Sequence, residues 1–206
     1  MLQYDELIHR LRKEGVIKSE KIFQAFLRVK RRDFMVPKKR DDDDRDEALP
    51  TMCGQTISQP YTVAFMLQHL DLASGQRILD VGSGSGWVTA LLADIVGEGG
   101  NVYAIERHLE LVEFARKNLE KYDYKNIELV FGDGSKGLRT KAPFDRIHVA
   151  ASAKEVPQEL KKQLARGGMM IIPTAENDIR LIEKKSDLSY SETIFPGFVF
   201  VPLVEG

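Results

Sequence analysis

Nine residues constrain this chain more than any others: Ile78-Leu-Asp-Val-Gly-Ser-Gly-Ser-Gly86. An apolar run opening at Arg77 meets an acid, Asp80, and then glycine at every second position. The run reads as a buried strand. Behind the glycines, Val88, Leu91, Leu92 and Ile95 recur at helical spacing. Strand, glycine turn and helix in that order make a nucleotide-binding corner, because small residues let the main chain approach a ligand and a helix start presents free N–H groups. A dinucleotide fingerprint beginning at Gly82 needs Gly84 and a small residue at position 87, where this chain carries Trp87. NAD is therefore the weaker candidate.

The rest of the chain sets that corner in an α/β alternation. Strands are expected at 77–81, 101–105, 127–131, 145–149 and 169–173, and helices at 87–96, 108–121 and 157–165, the last stopped by Gly167-Gly168. Alternation of this kind predicts a doubly wound, mostly parallel sheet covered on both faces. Two more strands, 179–185 and 198–204, joined by a turn at Pro196-Gly197, would add an antiparallel edge. Ahead of the sheet, Tyr4, Leu7, Ile8 and Leu11 form one helical stripe and Ile22, Phe23, Phe26 and Leu27 another, with Ser19 as its cap. Pro60 opens a third helix with Val63, Met66, Leu67 and Leu70 inward. The run Asp41–Asp44 reads as a solvated loop. The 206 residues suit one domain: a helical extension and loop at 1–50, a polar segment at 51–60 and an α/β core at 61–206.

Charge and cysteine usage narrow the partners. A net charge of −1 offers nothing to nucleic acid or an anionic membrane. The lone Cys53 excludes an internal disulfide and argues against a cysteine-based metal site. The first residues lack the pattern of a secretory leader, and no apolar run approaches a membrane span. A soluble, cytoplasmic protein is expected.

Ligands of a doubly wound sheet sit beyond the carboxyl ends of its strands. The first strand ends at Asp80 and the glycine turn. The second ends at Glu106, about 20 residues past the turn, where a carboxylate can accept from both hydroxyls of a ribose. The third ends in Gly132-Asp133-Gly134, suited to an adenine amino group, and the fourth at His148 and the small residues Ala150-Ala151-Ser152. Any one of these acids could merely cap the next helix. Three at successive strand ends, beside this turn, point to an adenosine-bearing ligand, and the glycine spacing favours S-adenosyl-L-methionine (AdoMet).

The segment Gly54-Gln55-Thr56-Ile57-Ser58-Gln59-Pro60 separates this chain from a generic AdoMet enzyme. Together with Asp80–Gly86, Gly132-Asp133-Gly134, Pro143–Ala151, Val156-Pro157 and Phe200-Val201-Pro202-Leu203, it resembles the protein-L-isoaspartate O-methyltransferases over nearly the whole chain. The resemblance implies a Rossmann-like class I methyltransferase fold and AdoMet-dependent methylation of the α-carboxylate of L-isoaspartyl residues, with S-adenosyl-L-homocysteine as product. It further implies isoaspartyl proteins and peptides as partners and action as a monomer; separately, the scattered His9, His69 and His108 imply no metal. Ser58 stands at the family's active-site serine. Gln55, Thr56, Ile57, Asp80, Gly82, Ser83, Gly84, Gly86, Glu106, Arg107, Asp133 and Gly134 stand at cofactor-binding positions. Thr51-Met52-Cys53 and Thr174-Ala175 depart from the family's usual residues.

The chemistry asks for little else. A carboxylate near pKa 4 is already ionised at neutral pH, so the site needs no general base. It must aim an oxygen and exclude water. Ser58 can aim the substrate carboxylate, with N–H groups from Thr56 to Ser58 assisting, or can cap the helix that starts at Pro60. A serine nucleophile is disfavoured, since Gly-x-Ser-x-Gly is absent around it. His148 and Trp87 are open to core as well as ligand roles, and Cys53 is expected to be half-buried.

Overall fold

The computed structural model describes residues 2–187 and 189–204. Helices α1 (Leu2–Lys13) and α2 (Glu20–Arg28) lead to a two-strand hairpin, β1 (Leu49–Pro50) and β2 (Thr56–Ile57), and to α3 (Pro60–His69). The α/β alternation follows: β3 (Arg77–Val81), α4 (Trp87–Val96), β4 (Asn101–Glu106), α5 (Leu109–Leu119), β5 (Ile127–Phe131), β6 (Phe144–Val149), α6 (Gln158–Lys162) and β7 (Leu164–Thr174). Strands β8 (Asp178–Ser186) and β9 (Ser189–Pro196) close the sheet, whose order is β5-β4-β3-β6-β7-β8-β9. The strands from β3 to β7 run parallel and the last two antiparallel. Successive strands wind to one side of β3 and then to the other, so the chain switches direction between β3 and β6. That is where a doubly wound sheet opens its crevice.

The central strands β3, β4 and β6 bury both faces, as the middle of a parallel sheet requires, while β5 and β9 at the edges are partly exposed. In β3, Ile78 packs with α1, α2 and α4, while Leu79 and Val81 face Tyr103, Phe144 and Leu160 on the other side. A third cluster under α3 joins Met66 and Leu70 to Ile171 of β7 and Ile179 of β8. The N-terminal helices are thus part of the core; Ile8, Phe26 and Phe34 are fully buried.

Four expectations need correcting. The C-terminal hairpin reverses between Ser186 and Ser189, not at Pro196-Gly197. Pro196 ends β9 instead, and beyond it Gly197 and Phe198 donate their N–H groups to the Asn177 carbonyl. The segment 198–204 then crosses to Ser152 through a single bridge at Pro202. Helix α6 is short, and Gly167-Gly168 lie in a bulge of β7, where pairing with β6 shifts from Leu164 to Met169. Ser19 occupies the start of α2 without a side-chain cap bond; the Gln68 side chain instead accepts from the N–H groups of Lys18 and Ser19. Finally, the acidic run is not wholly solvated. Pro37–Asp42 forms a 3-10 helix and Asp43 is buried, which pushes its carboxyl above the usual range against the opposing pull of Arg32 and Arg31.

Candidate active site

A cavity of ≈ 390 Å³ opens at the carboxyl ends of β3 and β4. One wall is the glycine turn, the second is the hairpin strand running from Gln55 to Gln59, and residues 199–204 of the tail form the third. The hairpin is built by its turn. Gln55 donates its N–H to the Met52 carbonyl at 3.0 Å, with Cys53 (φ 56°) and Gly54 (φ 68°) both left-handed between them. Positive φ at both central residues is what a type I′ turn needs, and its twist matches that of the paired strands. The turn leaves Cys53 exposed rather than half-buried.

Glu106 is the best-placed acid. It lines the cavity, is 6% exposed, and accepts the Gly84 N–H on Oε2 and the His108 N–H on Oε1, each at 3.0 Å. A carboxylate has about four acceptor positions, so each oxygen keeps capacity for a hydroxyl donor. Gln55, Thr56, Ile57, Ser58, Gly82, Ser83, Gly84, Arg107 and Gly134 also line the cavity. At Gly134 a Cβ would lie 2.5 Å from Val81 Cγ1, so only glycine lets this loop lie against the floor of the site. Ser83 Oγ and Trp87 Nε1, on two residues of the lining, are buried without a hydrogen-bond partner among the described residues. Buried polar atoms left unpaired cost free energy that a bound ligand or water can return. Trp87 serves both readings, for its ring also packs edge-on against Phe26 at 5.8 Å.

Three expected cofactor residues stand elsewhere. Asp80 is fully buried outside the lining, with Oδ1 2.8 Å from His148 Nδ1 and Oδ2 accepting from Thr89 Oγ1 at 2.6 Å. Asp80 and His148 are registered partners on β3 and β6, so the pleat turns both side chains to one face. This group braces the strands beneath the site, and His148 belongs to the core. Gly86 spaces helices: its φ of 88° starts α4, and a Cβ there would meet Ala115 Cβ at 3.2 Å. Asp133 caps the short 3-10 turn at 134–136, accepting from the Ser135 N–H (3.0 Å) and hydroxyl (2.7 Å), with Lys136 Nζ 3.2 Å from its other oxygen. Its neighbour Gly134 reaches the cavity instead.

Ser58 is relieved of the capping role. The N-cap of α3 is Gln59, and the carboxylate that receives the Tyr61 N–H, at 2.8 Å, is Asp46. Fully buried Arg31 holds Ser58 from behind. Its guanidinium donates to the carbonyls of Arg45 (2.9 Å), Glu47 (2.7 Å) and Ser58 (3.0 Å), while its face lies 5.5 Å from the Trp87 ring. Burial pushes the Arg31 guanidinium down to about 10, still charged at neutral pH. No periodicity marks Arg31 in the sequence, and nothing there links it to residues 45–58. The tail wall, Val199 to Val204, was likewise hidden by its misassignment as a strand. Among the described residues no three His, Cys, Asp or Glu side chains gather as metal ligands, and no helix is long and apolar enough to cross a membrane.

A seven-stranded sheet with an antiparallel edge, an acid at the end of its second parallel strand and a glycine turn at the switch point define a class I AdoMet-dependent methyltransferase. The family model described as protein-L-isoaspartate(D-aspartate) O-methyltransferase (PCMT) matches residues 2–206, and the chain belongs to that family. It is 46% identical over 202 residues to a protein-L-isoaspartate O-methyltransferase of Thermococcus onnurineus, covering 96% of this chain and 91% of the relative. It is 45% identical over 206 residues to the Pyrococcus horikoshii enzyme of the same name, covering 98% and 93%. A crystal structure from Plasmodium falciparum, described as a beta-aspartate methyltransferase (PCMT) in complex with S-adenosyl-L-homocysteine, superposes with a TM-score of 0.88 at 27% identity. That match covers 98% of this chain and 99% of the other.

Proposed function

We propose that this chain methylates the α-carboxylate of L-isoaspartyl residues in damaged proteins and peptides, using AdoMet. The observation that supports this most is one cavity with two unlike walls. The glycine turn and Glu106 suit the adenosine donor, and the Gln55–Gln59 strand faces them across the space a second substrate needs.

In this reading Glu106 holds the ribose diol, while Gly82, Ser83, Gly84 and Gly134 offer close main-chain approach. Gln55, Thr56, Ile57 and Arg107 complete the donor site. Asp80, Gly86 and Asp133 act through the elements they brace. AdoMet, when bound, supplies a sulfonium methyl that a carboxylate oxygen takes with cleavage of the carbon–sulfur bond, and no proton moves. The chain's own task is positioning and drying: Ser58 Oγ donates to the isoaspartyl carboxylate, and N–H groups from Thr56 to Ser58 assist. Water is kept out by the apolar side chains of Trp87 and Val88 from α4, Leu111 from α5 and the tail residues that line the cavity. A dry site favours the step because opposite charges are consumed in it. The resulting ester closes to a succinimide, whose hydrolysis returns part of the material to aspartate.

The test is labelled methyl transfer to an isoaspartyl peptide beside its aspartyl twin. Labelling of the isoaspartyl form alone is expected; equal labelling of both, or of RNA in their place, would refute it. Ser58→Ala is expected to lower kcat/KM for the peptide by about tenfold to a hundredfold, the worth of one hydrogen bond to a charged group. Calorimetric affinity for S-adenosyl-L-homocysteine should stay within twofold. An unchanged kcat/KM would leave Ser58 no part in aiming.

We also infer that one copy suffices and that it works in the cytoplasm. The monomer follows from the family resemblance of the motifs, and a net charge of −1 gives no bulk attraction to nucleic acid or an anionic membrane. Sedimentation of the purified protein and fractionation of cells check the two statements.

A further inference from the structure

The main cavity does not end at its rim. Gln59, Thr62 and Val199 line it and also line a second hollow of ≈ 530 Å³. The other walls of that hollow are mostly aromatic. The Phe65 ring lies 4.9 Å from Phe198, 5.1 Å from Phe195 and 6.4 Å from Tyr61. Among the described residues no charged side chain lines it, and Pro196-Gly197, at the end of β9, complete its wall. Val199, on the shared rim, is 80% exposed, an unusual place for a bulky aliphatic residue beside a functional cleft.

We propose that this hollow is a subsite for one bulky apolar side chain, aromatic by preference, flanking the isoaspartyl residue of the substrate. The inference rests on the activity proposed above. Ser58 and the Gln55–Gln59 strand receive the isoaspartyl group, so the peptide on one side of it must pass over Gln59 and Val199. An extended chain advances about 3.4 Å per residue and turns alternate side chains to the same side. A residue within three of the isoaspartyl position therefore comes to lie over the hollow. Offset and edge-on arrangements like those among the four rings are the ones in which a further ring packs well. A carboxylate or ammonium there would lose hydration against an uncharged lining. Recognition then has two parts: polar and position-independent at the carboxylate, apolar and graded at the flank.

The test uses isoaspartyl heptapeptides on a glycine–serine background, with phenylalanine placed singly at each of the three positions on either side. Labelled methyl transfer by the intact chain gives kcat/KM for each. Phenylalanine at one position is expected to raise kcat/KM about tenfold over serine, and glutamate at that position to lower it. In Phe65→Ala, and independently in Phe198→Ser, the phenylalanine-to-serine ratio at that position should fall below about two. Calorimetric binding of S-adenosyl-L-homocysteine reports that each variant is folded. The same ratio in both variants, or no preferred position in the unmodified chain, would overturn the subsite while leaving the activity standing. Loss of a dimer in the Phe198→Ser variant with no change in the ratio would assign the hollow to a second copy and also overturn it. Labelling of no isoaspartyl peptide would overturn the activity and the subsite together.

Discussion

Arg31→Met is expected to lower the unfolding free energy by about 3 kcal/mol, chiefly by leaving buried carbonyls without donors. The Arg31 guanidinium, fully buried, joins two stretches of chain distant from it in sequence. It donates to the carbonyls of Arg45 and Glu47 in the loop before β1 and of Ser58 at the end of the hairpin, and reaches the Ile57 carbonyl at 3.4 Å. Methionine fills much of the volume and removes the desolvation cost of the charge, so the loss is smaller than a sum over the bonds. Arg31→Lys should recover little of it, because one ammonium cannot span acceptors that a planar fork reaches together. Freed from Arg31, Ser58 should also wander. Peptide kcat/KM is expected to fall about tenfold beyond any effect on S-adenosyl-L-homocysteine binding, on the principle that misplacing a positioning group by an ångström is costly. Urea titration and methyl-transfer kinetics check both parts; an unmoved urea midpoint would show that the carbonyls find water instead.

Glu106→Ala is expected to weaken S-adenosyl-L-homocysteine binding about a hundredfold, on the order of two charge-assisted hydrogen bonds. Each Glu106 oxygen now holds one main-chain N–H, of Gly84 and of His108, so the carboxylate sets the shape of the glycine turn as well as facing the cavity. Alanine removes the acceptors for a ribose and the tether of the turn at once. Glu106→Gln keeps one acceptor oxygen and should lose about tenfold, since neutral hydrogen bonds are roughly half as strong. Calorimetry on the three proteins separates these steps. Equal affinity in all three would place the ribose elsewhere.

Glu106 and Asp80 were equally visible as strand-end acids, yet only one meets the cavity. Strand ends are legible because burial on both faces demands apolar runs, as in β3 and β4, which fall within a residue of their expected bounds. The direction of a strand-end side chain is not legible in the same way. In β3 the pleat turns Asp80 toward His148 and Thr89, beneath the floor, whereas Glu106 ends β4 where the chain breaks toward α5. Pro196-Gly197 was misleading for a related reason. A proline–glycine pair signals a break in regular structure, and whether it joins two strands or ends the last one depends on what lies beyond. Here the tail lines the cavity, and the hairpin reverses between Ser186 and Ser189 without either residue type.

Local order and family were written in the chain: the strand–glycine–helix corner, the alternation of elements and the Gly54–Pro60 segment each depend on neighbours a few residues apart. Tertiary structure alone decided that Asp46, not Ser58, caps α3, that Arg31 stands behind the hairpin, and that the tail lines the site beside an aromatic hollow. Those are contacts between residues far apart in sequence. Hydrophobic burial selects which elements come together, but it is nearly indifferent to direction. Only the packed chain fixes which buried donor finds which acceptor.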